Sequence, residues 1–234
     1  MERQLRAILD QVASDSRLES RIERLSRHFI GCRYVVHPLP DRSDGIESLN
    51  VSFTGFDCVT LCETVLALAD SDRAADFDRH LRQLRYRGSE ARWADRNHYF
   101  SEWIRNNINK TYLQGLPELH GAVAAKTLSV VKGLPARPAT LRIMPQREIL
   151  ASANRLRTGD IVAFVPTWES LDVFHCGLLI VNDGGLTLRH ASRSRGGVRD
   201  EPLAAFLSRV KLQGTMVARP KRPAFEPPGS PVRS

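Results

Sequence analysis

The sequence predicts an α+β domain in which helices come first and antiparallel strands follow. Apolar residues recur at helical spacing between residues 18 and 107, and short apolar runs bounded by turn residues begin at residue 160. The length of 234 residues is enough for one well-buried core and short of what two enzyme domains usually need. We therefore expect one domain over residues 1–218, followed by a disordered, basic, proline-rich tail over 219–234.

The opening forty residues predict helix. Ser16 and Glu19 have the spacing of a capping box, and Gly31 offers a stop. The apolar residues between them recur on one helix face: Leu18, Ile22, Leu25 and Phe29. Residues 41–47 then predict a polar loop, and residues 49–53 predict a short strand ending before Gly55.

Three further helices are expected in the first half of the chain. Residues 57–69 have the length and apolar content of a buried helix, and Asp57 is a natural N-cap. Residues 76–86 have an amphipathic pattern, and residues 93–107 predict another helix.

The second half predicts strands. The three runs bounded by turn residues are 160–165, 173–181 and 186–191. A short helix is expected over 202–210 and a closing strand over 214–218. Because strands follow helices instead of alternating with them, the pattern favours an antiparallel sheet over a doubly wound one.

The formal net charge of +8 does not by itself indicate a nucleic-acid partner. Arginine supplies most of the basic residues, and part of the excess lies in the tail. No basic helix with interleaved aromatic residues is present, so we expect no nucleic-acid binding. No apolar run is long enough to span a membrane, and the sequence indicates no particular protein partner.

The first twenty residues carry scattered charges where a signal peptide has an uninterrupted apolar stretch. We therefore expect a cytoplasmic location by default, with the periplasm or secretion by a non-standard route as alternatives. A chain of this size without an export signal does not need disulfides. Its cysteines are accordingly expected to be free thiols: Cys32, Cys58, Cys62 and Cys176.

Cys58 is the candidate nucleophile. It follows a predicted strand and a glycine-containing turn, and it falls in the first turn of a predicted helix. The unpaired backbone N–H groups and the positive end of the helix dipole favour a thiolate there and could hold an oxyanion. Cys62 lies one turn further along among apolar neighbours, so we expect it to be an inert core residue.

Two of the seven histidines are candidates for the base that a nucleophilic thiol needs. His175 and His190 lie on consecutive predicted strands joined by Asn-Asp-Gly-Gly, which is a strong hairpin signal. A two-residue turn pairs residue 182 with 185, and hence Gly177 with His190 and His175 with Ser192. The two imidazoles then share one face as diagonal neighbours, and Gly177 leaves space between them.

The same residues permit a second interpretation, a zinc site. Cys58 and Cys62 together with His175 and His190 fall within the loose spacing range of zinc ligands. Cys62 lies on an apolar helix face, however, whereas structural zinc cysteines come from tight turns. We therefore favour a cysteine–histidine arrangement without a metal.

Seven strings along the chain point to a known family. Those around the candidate nucleophile and histidines are Phe56-Asp57-Cys58-Val59-Thr60, His175-Cys176-Gly177-Leu178-Leu179-Ile180 and Arg189-His190-Ala191-Ser192. The others are Phe29-Ile30-Gly31 with Tyr34, Tyr86-Arg87 with Gly88, Arg96-Asn97-His98-Tyr99 with Trp103, and Thr158-Gly159-Asp160-Ile161-Val162. In this order the chain resembles, over most of residues 18–218, the N-acetylmuramoyl-L-alanine amidase-like family of bacterial cysteine hydrolases, in the papain-like NlpC clan.

The resemblance implies a papain-like NlpC-type fold, in which the N-terminal helices include a nucleophile helix packed on a C-terminal antiparallel sheet. It implies that Cys58 is the nucleophile, His175 its base and His190 the orienting group, with Ser192 as the alternative in the last role. The candidates for contact with substrate are Asp57, Arg96, His98, Tyr99 and Ser192. No cofactor is expected.

The implied activity is hydrolysis of an amide bond in peptidoglycan or a muropeptide through a thioester acyl-enzyme. The first candidate bond joins N-acetylmuramic acid to L-alanine, and the alternative is the γ-D-glutamyl bond within the stem peptide. The sequence does not separate these two. A transferase using the same acyl-enzyme and a non-catalytic wall-binding module are further alternatives. The joint presence of Cys58, His175 and His190 argues against the module.

Overall fold

The computed structural model describes residues 1–40, 46–88 and 90–223. Most of the expected polar loop, residues 41–45, lies outside the described residues, as does the predicted tail beyond residue 223. The helices are α1 (Glu2–Asp10), α2 (Leu18–His28), α3 (Cys58–Ala69), α4 (Ala74–Arg85), α5 (Phe100–Asn109), α6 (Gln146–Ala151) and α7 (Leu203–Leu207). Of these, α3 and α4 confirm the helices predicted over 57–69 and 76–86, and α7 confirms the short one within 202–210.

The described strands number ten. They are β1 (Arg33–Tyr34), β2 (Gly55–Phe56), β3 (Leu113–Gly115), β4 (Ala122–Leu128), β5 (Arg137–Ile143), β6 (Ile161–Pro166), β7 (His175–Asn182), β8 (Gly185–Ser192), β9 (Gly197–Pro202) and β10 (Leu212–Pro220). Eight of them form a sheet in the order β2-β1-β9-β8-β7-β6-β10-β3, while β4 and β5 form a separate hairpin. All pairs are antiparallel except β1 with β2, so the predicted α+β class with an antiparallel sheet is confirmed.

The two faces of the sheet pack against different helices. One face carries Ile161, Ala163, Cys176, Leu178 and Ala191, which form one core with α2 and α3. The opposite face carries Val162, Phe164, Leu179, Leu188 and Val217, which form a second core with α7. Burial of apolar surface on both faces fixes the position of α3 over the middle of the sheet.

Helix α3 is buried on nearly all sides because its sequence is mostly apolar. It begins with a capping box, in which the Asp57 side chain accepts a hydrogen bond from the Thr60 N–H at 2.7 Å. Its one charged residue, Glu63, forms an ion pair with Arg85 at 2.7 Å, and both side chains are 2% exposed. The Arg85 guanidinium also donates to the Asn50 carbonyl, so the buried charges are compensated.

The β7–β8 hairpin has the predicted register. Its paired residues run from Leu178 with Arg189 to Asn182 with Gly185, which confirms the turn at Asp183-Gly184. A Cβ atom at Gly177 would lie 2.8 Å from the Arg189 carbonyl oxygen and 3.0 Å from the His190 Cβ. The space between the strands at this point therefore depends on glycine.

The capping box predicted at Ser16 and Glu19 is wrong. The N-cap of α2 is Arg17, which makes no side-chain capping bond. Asp15 instead fixes the chain before the helix, since its carboxylate accepts hydrogen bonds from the Arg17 N–H at 3.0 Å and from the Ser20 hydroxyl. The helix therefore starts where we expect it, by a different local interaction.

The strand predicted over residues 49–53 is also wrong, and the strand of this region is β2 at Gly55–Phe56. The apolar alternation is real, because Leu49, Val51 and Phe53 pack on the α3 core. The backbone is satisfied by side chains instead of a ladder, as when the Asn50 carbonyl accepts from Arg85 at 2.8 Å.

The helix predicted over 93–107 is interrupted. A 3-10 helix covers Trp93–Asp95, and α5 begins only at Phe100. Between them the backbone is extended, and Arg96 bridges to Tyr86 while the Asn97 N–H donates to the Arg85 carbonyl at 3.0 Å. These contacts with the end of α4 replace the helical hydrogen bonds.

The strands β6, β7, β8 and β10 confirm the four predicted strands of the second half, and β10 continues through Pro220. At its end, the Arg219 guanidinium donates to the buried Asp160 carboxylate at 2.8 and 2.9 Å, so the ordered sheet extends past residue 218. Strands β1, β2, β3, β4, β5 and β9 were not predicted. None of the helices in the described residues is long and apolar enough to cross a membrane.

Candidate active site

Cys58 is the first residue of α3 and lies beside the start of β7. Its thiol interacts with two consecutive residues of that strand, His175 and Cys176. These two side chains project to opposite faces of the sheet, so the sulfur sits at the strand end and not over the middle of the strand. The capping box at Asp57 fixes the backbone immediately before the thiol.

The environment of Cys58 favours the thiolate. Its pKa lies well below the usual range, chiefly because the Cys176 thiol donates a hydrogen bond to the sulfur, and the charge of His175 lowers it further against the opposing effect of burial. Burial raises the pKa of Cys176 well above its usual range, which keeps that thiol protonated as a donor. Cys176, which is fully buried next to His175, therefore stabilises the thiolate charge on the half-buried Cys58.

The two histidines are brought together as the hairpin register predicts. Nε2 of His175 lies 2.6 Å from Nδ1 of His190, and the two ring planes are nearly perpendicular, at 78°. His190 is 2% exposed, whereas His175 is only half-buried and is therefore the more accessible ring of the pair. With Nε2 engaged by His190, Nδ1 is the nitrogen of His175 left for the thiol.

The second ring of the pair is held neutral. Burial lowers the pKa of His190 to about 3, and the charge of His175 adds to the effect. Phe206 of α7 packs on both imidazoles, with ring centroids 5.6 Å from His175 and 5.7 Å from His190. A neutral His190 can therefore accept a hydrogen bond at Nδ1 from a protonated His175.

Tyr34 and Asp57 border the sulfur. Burial raises the pKa of Tyr34 to about 12, and the Cys58 charge adds to it. Burial likewise raises the pKa of Asp57 to about 6, again with a contribution from Cys58. The described contacts of the Asp57 side chain are its capping bonds to Thr60, so its expected contact with substrate stays a prediction.

Arg96, His98 and Tyr99 lie on the extended segment before α5, and their described contacts are structural. Arg96 donates to Glu47 and to the Pro40 carbonyl, both at 2.8 Å. His98 Nε2 lies 2.7 Å from the Trp93 carbonyl. Tyr99 is 1% exposed and its hydroxyl accepts from a backbone N–H of the β4–β5 loop. The described contacts do not bring these three side chains to the thiol, and their role in substrate binding stays a prediction.

Ser192 and Cys62 complete the residues singled out from the sequence. Ser192 is buried on β8, with its hydroxyl 3.3 Å from that of Ser194, and it is not part of the imidazole pair. Cys62 is fully buried in the α3 core, as expected. Within residues 1–40, 46–88 and 90–223, no three His, Cys, Asp or Glu side chains are grouped as metal ligands.

Three participants were missed by sequence reasoning as site residues: Tyr34, Cys176 and Phe206. The sequence around Cys176 predicts a core position of an apolar strand. Its contact with Cys58 becomes evident only when the start of α3 is packed beside β7. Phe206 lies on a five-residue helix whose position over β8 depends on tertiary packing. Tyr34 belongs to the motif Phe29-Ile30-Gly31 with Tyr34, and its membership of this family motif is the sequence feature that could have identified it.

Chemically, the arrangement joins a thiol of lowered pKa to one imidazole and that imidazole to a second, neutral one. The backbone N–H groups of the first turn of α3 point toward the N-terminal end of the helix, which is the end that carries Cys58. Such a centre can attack an acyl carbon, hold the resulting oxyanion and return a proton to a leaving group.

Comparison with known proteins points in the same direction. A model of a family described as N-acetylmuramoyl-L-alanine amidase-like matches residues 24–216, which include Cys58, His175 and His190. No curated protein matches the chain significantly.

Several solved structures of bacterial proteins have a similar fold. An N-acetylmuramoyl-L-alanine amidase from Bacteroides uniformis is 24% identical, and the alignment covers 87% of this chain and 99% of that chain with a TM-score of 0.78. A Legionella pneumophila protein is 18% identical over 95% of each chain, with a TM-score of 0.80. A provisionally named xylanase from Bacteroides fragilis is 26% identical over 83% of this chain and 98% of that chain, with a TM-score of 0.73.

Proposed function

Because the chain belongs to the N-acetylmuramoyl-L-alanine amidase-like family, we propose that it is a cysteine amidase acting on peptidoglycan or muropeptides. The proposed scissile bond is the amide between the lactyl group of N-acetylmuramic acid and L-alanine. The observation that carries the proposal is the placement of Cys58 at the start of a helix, where its thiol meets both Cys176 and His175 of the paired imidazoles.

The proposed reaction begins with Cys58 as thiolate and His175 protonated. The sulfur attacks the lactyl carbonyl carbon, and the resulting oxyanion is held by backbone N–H groups at the start of α3. The tetrahedral intermediate collapses to a thioester as the C–N bond breaks, and His175 gives its Nδ1 proton to the leaving amine.

Hydrolysis of the thioester completes the cycle. The now neutral His175 takes a proton from water as the water oxygen attacks the acyl carbon. The C–S bond then breaks, which releases the carboxylic acid of the sugar and restores the thiolate and the protonated His175. His190 accepts the Nε2–H of His175 throughout and so orients the ring, at the 2.6 Å distance between the two nitrogens.

We also propose that the chain belongs to the papain-like NlpC clan. The support is the combination of a nucleophile candidate at the start of a buried helix with histidines on two adjacent antiparallel strands beneath it. The same combination supports a cysteine mechanism over glycoside hydrolysis, which usually needs two carboxyl groups flanking the bond. The carboxyl group next to Cys58 is that of Asp57, which caps the helix.

Mass spectrometry of defined muropeptides tests the proposal. Wild-type protein is expected to release free sugar and an intact stem peptide, and Cys58→Ala to release neither. Cys62→Ala is the matched control, because it removes a thiol one turn further along the same helix and is expected to turn over normally. A shortened stem peptide would instead identify the γ-D-glutamyl bond as the target. No product from any wall fragment, with wild-type protein folded, would contradict the proposal and favour a wall-binding module.

A further inference from the structure

The second nitrogen of His190 faces a carboxylate that the proposed mechanism does not use. Nε2 of His190 is buried and lies 3.5 Å from Oε2 of Glu201, an ion-pair distance at which the geometry falls short of a hydrogen bond. A buried imidazole N–H needs an acceptor, and a small rotation of either side chain would supply one here. Glu201 is itself largely shielded, with 13% of its side chain exposed.

The strand register explains why the two groups meet. His190 of β8 pairs with Arg199 of β9, and Glu201 pairs with Leu188. Glu201 is therefore the diagonal neighbour of His190 on the face that His190 shares with His175. The three side chains form a row across three adjacent strands, each one diagonal step from the next.

The other charged groups around His190 leave this contact in place. His175 lies on β7, Arg199 and Asp200 lie on β9, and Arg209 follows α7. Arg209 holds the other carboxylate oxygen of Glu201, with Nη2 at 2.5 Å from Oε1. Because Oε1 is fixed by this ion pair, Oε2 is the oxygen directed toward His190.

The proton positions follow from this row. A neutral His190 carries one ring proton, and Nδ1 must be free of it to accept the hydrogen bond from His175 at 2.6 Å. The proton therefore belongs on Nε2, the nitrogen that faces Glu201. If it moved to Nδ1, two N–H groups would oppose each other and the His175 ring would lose its orientation.

We propose that Glu201 is a positioning residue of this centre, whose carboxylate holds His190 as the Nε2–H tautomer and thereby keeps Nδ1 of His175 directed at Cys58. The inference rests on the proposed pair of the Cys58 thiolate and the His175 imidazole, and it adds His190 as a defined tautomer and Glu201 behind it. Because Arg209 pairs with Oε1 of Glu201, the effect of Glu201 on the thiolate runs through the orientation of the two rings and not through an unbalanced charge.

The test measures the thiolate without any substrate. Iodoacetamide alkylation of Cys58, followed by peptide mass spectrometry across pH, reports the fraction of thiolate in the folded protein. Glu201→Gln is expected to move the midpoint of this profile to higher pH by about one unit and to lower kcat by about 10-fold with little change in KM. Glu148→Gln removes an equal charge from the exposed face of α6 and is expected to change neither.

A double-mutant comparison separates positioning from general stability. If Glu201 acts through His190, Glu201→Gln has no further effect on the alkylation profile or on kcat in a His190→Ala background. Glu201→Asp, which keeps the charge, is expected to restore most of the profile. An unchanged profile in Glu201→Gln, or an equal loss in both backgrounds, overturns the inference. If wild-type protein shows the low-pH alkylation and its response to Glu201→Gln but cleaves no muropeptide, the proposed function fails and this inference stands.

Discussion

Nε2 of His175 and Nδ1 of His190 lie 2.6 Å apart, although the two residues occupy different strands of the sheet. The contact needs the pairing register of β7 and β8, the absence of a side chain at Gly177 and the packing of Phe206 against both rings. The contact uses Nε2 of His175 to orient the ring and leaves Nδ1 to exchange a proton with Cys58 or the substrate.

His175→Ala and His190→Ala are expected to differ in their effect on turnover. Loss of His175 removes the proton carrier, so we expect kcat to fall at least about 1,000-fold. Loss of His190 removes only the orienting contact, and we expect a smaller fall of roughly 100-fold. Steady-state kinetics on a defined muropeptide, with circular dichroism to establish folding, checks the order. A larger loss for His190→Ala would contradict the assigned roles.

Cys58 is expected to react with iodoacetamide at a pH where ordinary thiols are inert. Its pKa is lowered by the Cys176 hydrogen bond and by His175, so the thiolate persists as the pH falls below the usual range of a thiol. Cys176→Ala removes the main donor, and its alkylation profile at Cys58 should shift to higher pH. Peptide mapping provides the readout, with buried Cys62 as the internal control that remains unmodified in the folded protein.

Gly177→Ala is expected to destabilise the hairpin and reduce turnover together. The new methyl group would meet the Arg189 carbonyl oxygen and a Leu188 methyl carbon, both at 2.8 Å, and one of these is backbone that cannot move away cheaply. We expect the free energy of unfolding to fall by about 1–3 kcal/mol, as for other overpacked sites. Gly121→Ala is the control, since nothing beyond its two chain neighbours is found within 4 Å of its added Cβ. Urea denaturation and the muropeptide assay measure the two effects, and equal behaviour of both variants would count against the packing argument.

Removing one partner of the Glu63–Arg85 ion pair is expected to be costly. Both side chains are buried, so Arg85→Met leaves an uncompensated charge on the inner side of α3. We expect a loss of about 3–5 kcal/mol in the free energy of unfolding. Arg6→Met breaks the exposed pair with Glu2 and should change stability by less than about 1 kcal/mol. Denaturant titration of both variants measures the two losses in the free energy of unfolding, and equal losses would contradict the role given to burial.

Acidification is expected to destabilise the fold partly through His190. Its pKa falls to about 3 in the folded protein, whereas an unfolded histidine titrates near 6.5. Below about pH 6.5 the unfolded chain binds a proton that the folded chain does not, so this contribution to stability is present above that pH and declines until about pH 3. The decline is at most about 1.4 kcal/mol per pH unit.

His190→Gln should flatten the decline, and His28→Gln, a change at an exposed histidine of α2, should not. Urea denaturation at several pH values between 7 and 4 measures the slope for each variant. A steeper slope for His190→Gln would mean that this ring is not the neutral group that the structure indicates.

The part of the site formed by the β7–β8 hairpin could be predicted from the sequence because its geometry is local. The turn at Asp183-Gly184 sets the register, and the register alone decides that His175 and His190 share a face. The start of α3 was predictable for the same reason, since Asp57 and Thr60 cap the helix within one turn. The chemistry at Cys58 also involves Cys176, whose thiol reaches the site only through the packing of α3 on the sheet.

The remaining errors arise where tertiary contacts replace local ones. The strand β9 has a polar sequence, Gly-Val-Arg-Asp-Glu-Pro, and is held by pairing with β8 instead of by an apolar pattern. Residues 49–53 have the apolar alternation of a strand, but Asn50 forms other hydrogen bonds. Its carbonyl accepts from the Arg85 side chain, and its side-chain amide donates to the Pro38 carbonyl. Arg96 ties the segment before α5 to Glu47, which prevents the continuous helix that its composition favours.

The two imidazoles come from one hairpin near the end of the chain, whereas the thiol comes from a helix much earlier in it. During synthesis on the ribosome, the nascent chain therefore exposes its nucleophile long before the groups that activate it have been made. The hairpin register places the rings on one face and Phe206 of α7 packs on both, whereas the sulfur gains its partners only when α3 packs on the sheet. The lowered pKa of Cys58 thus depends on residues that are made after it, so a chain that ends before β7 carries an ordinary cysteine at this position.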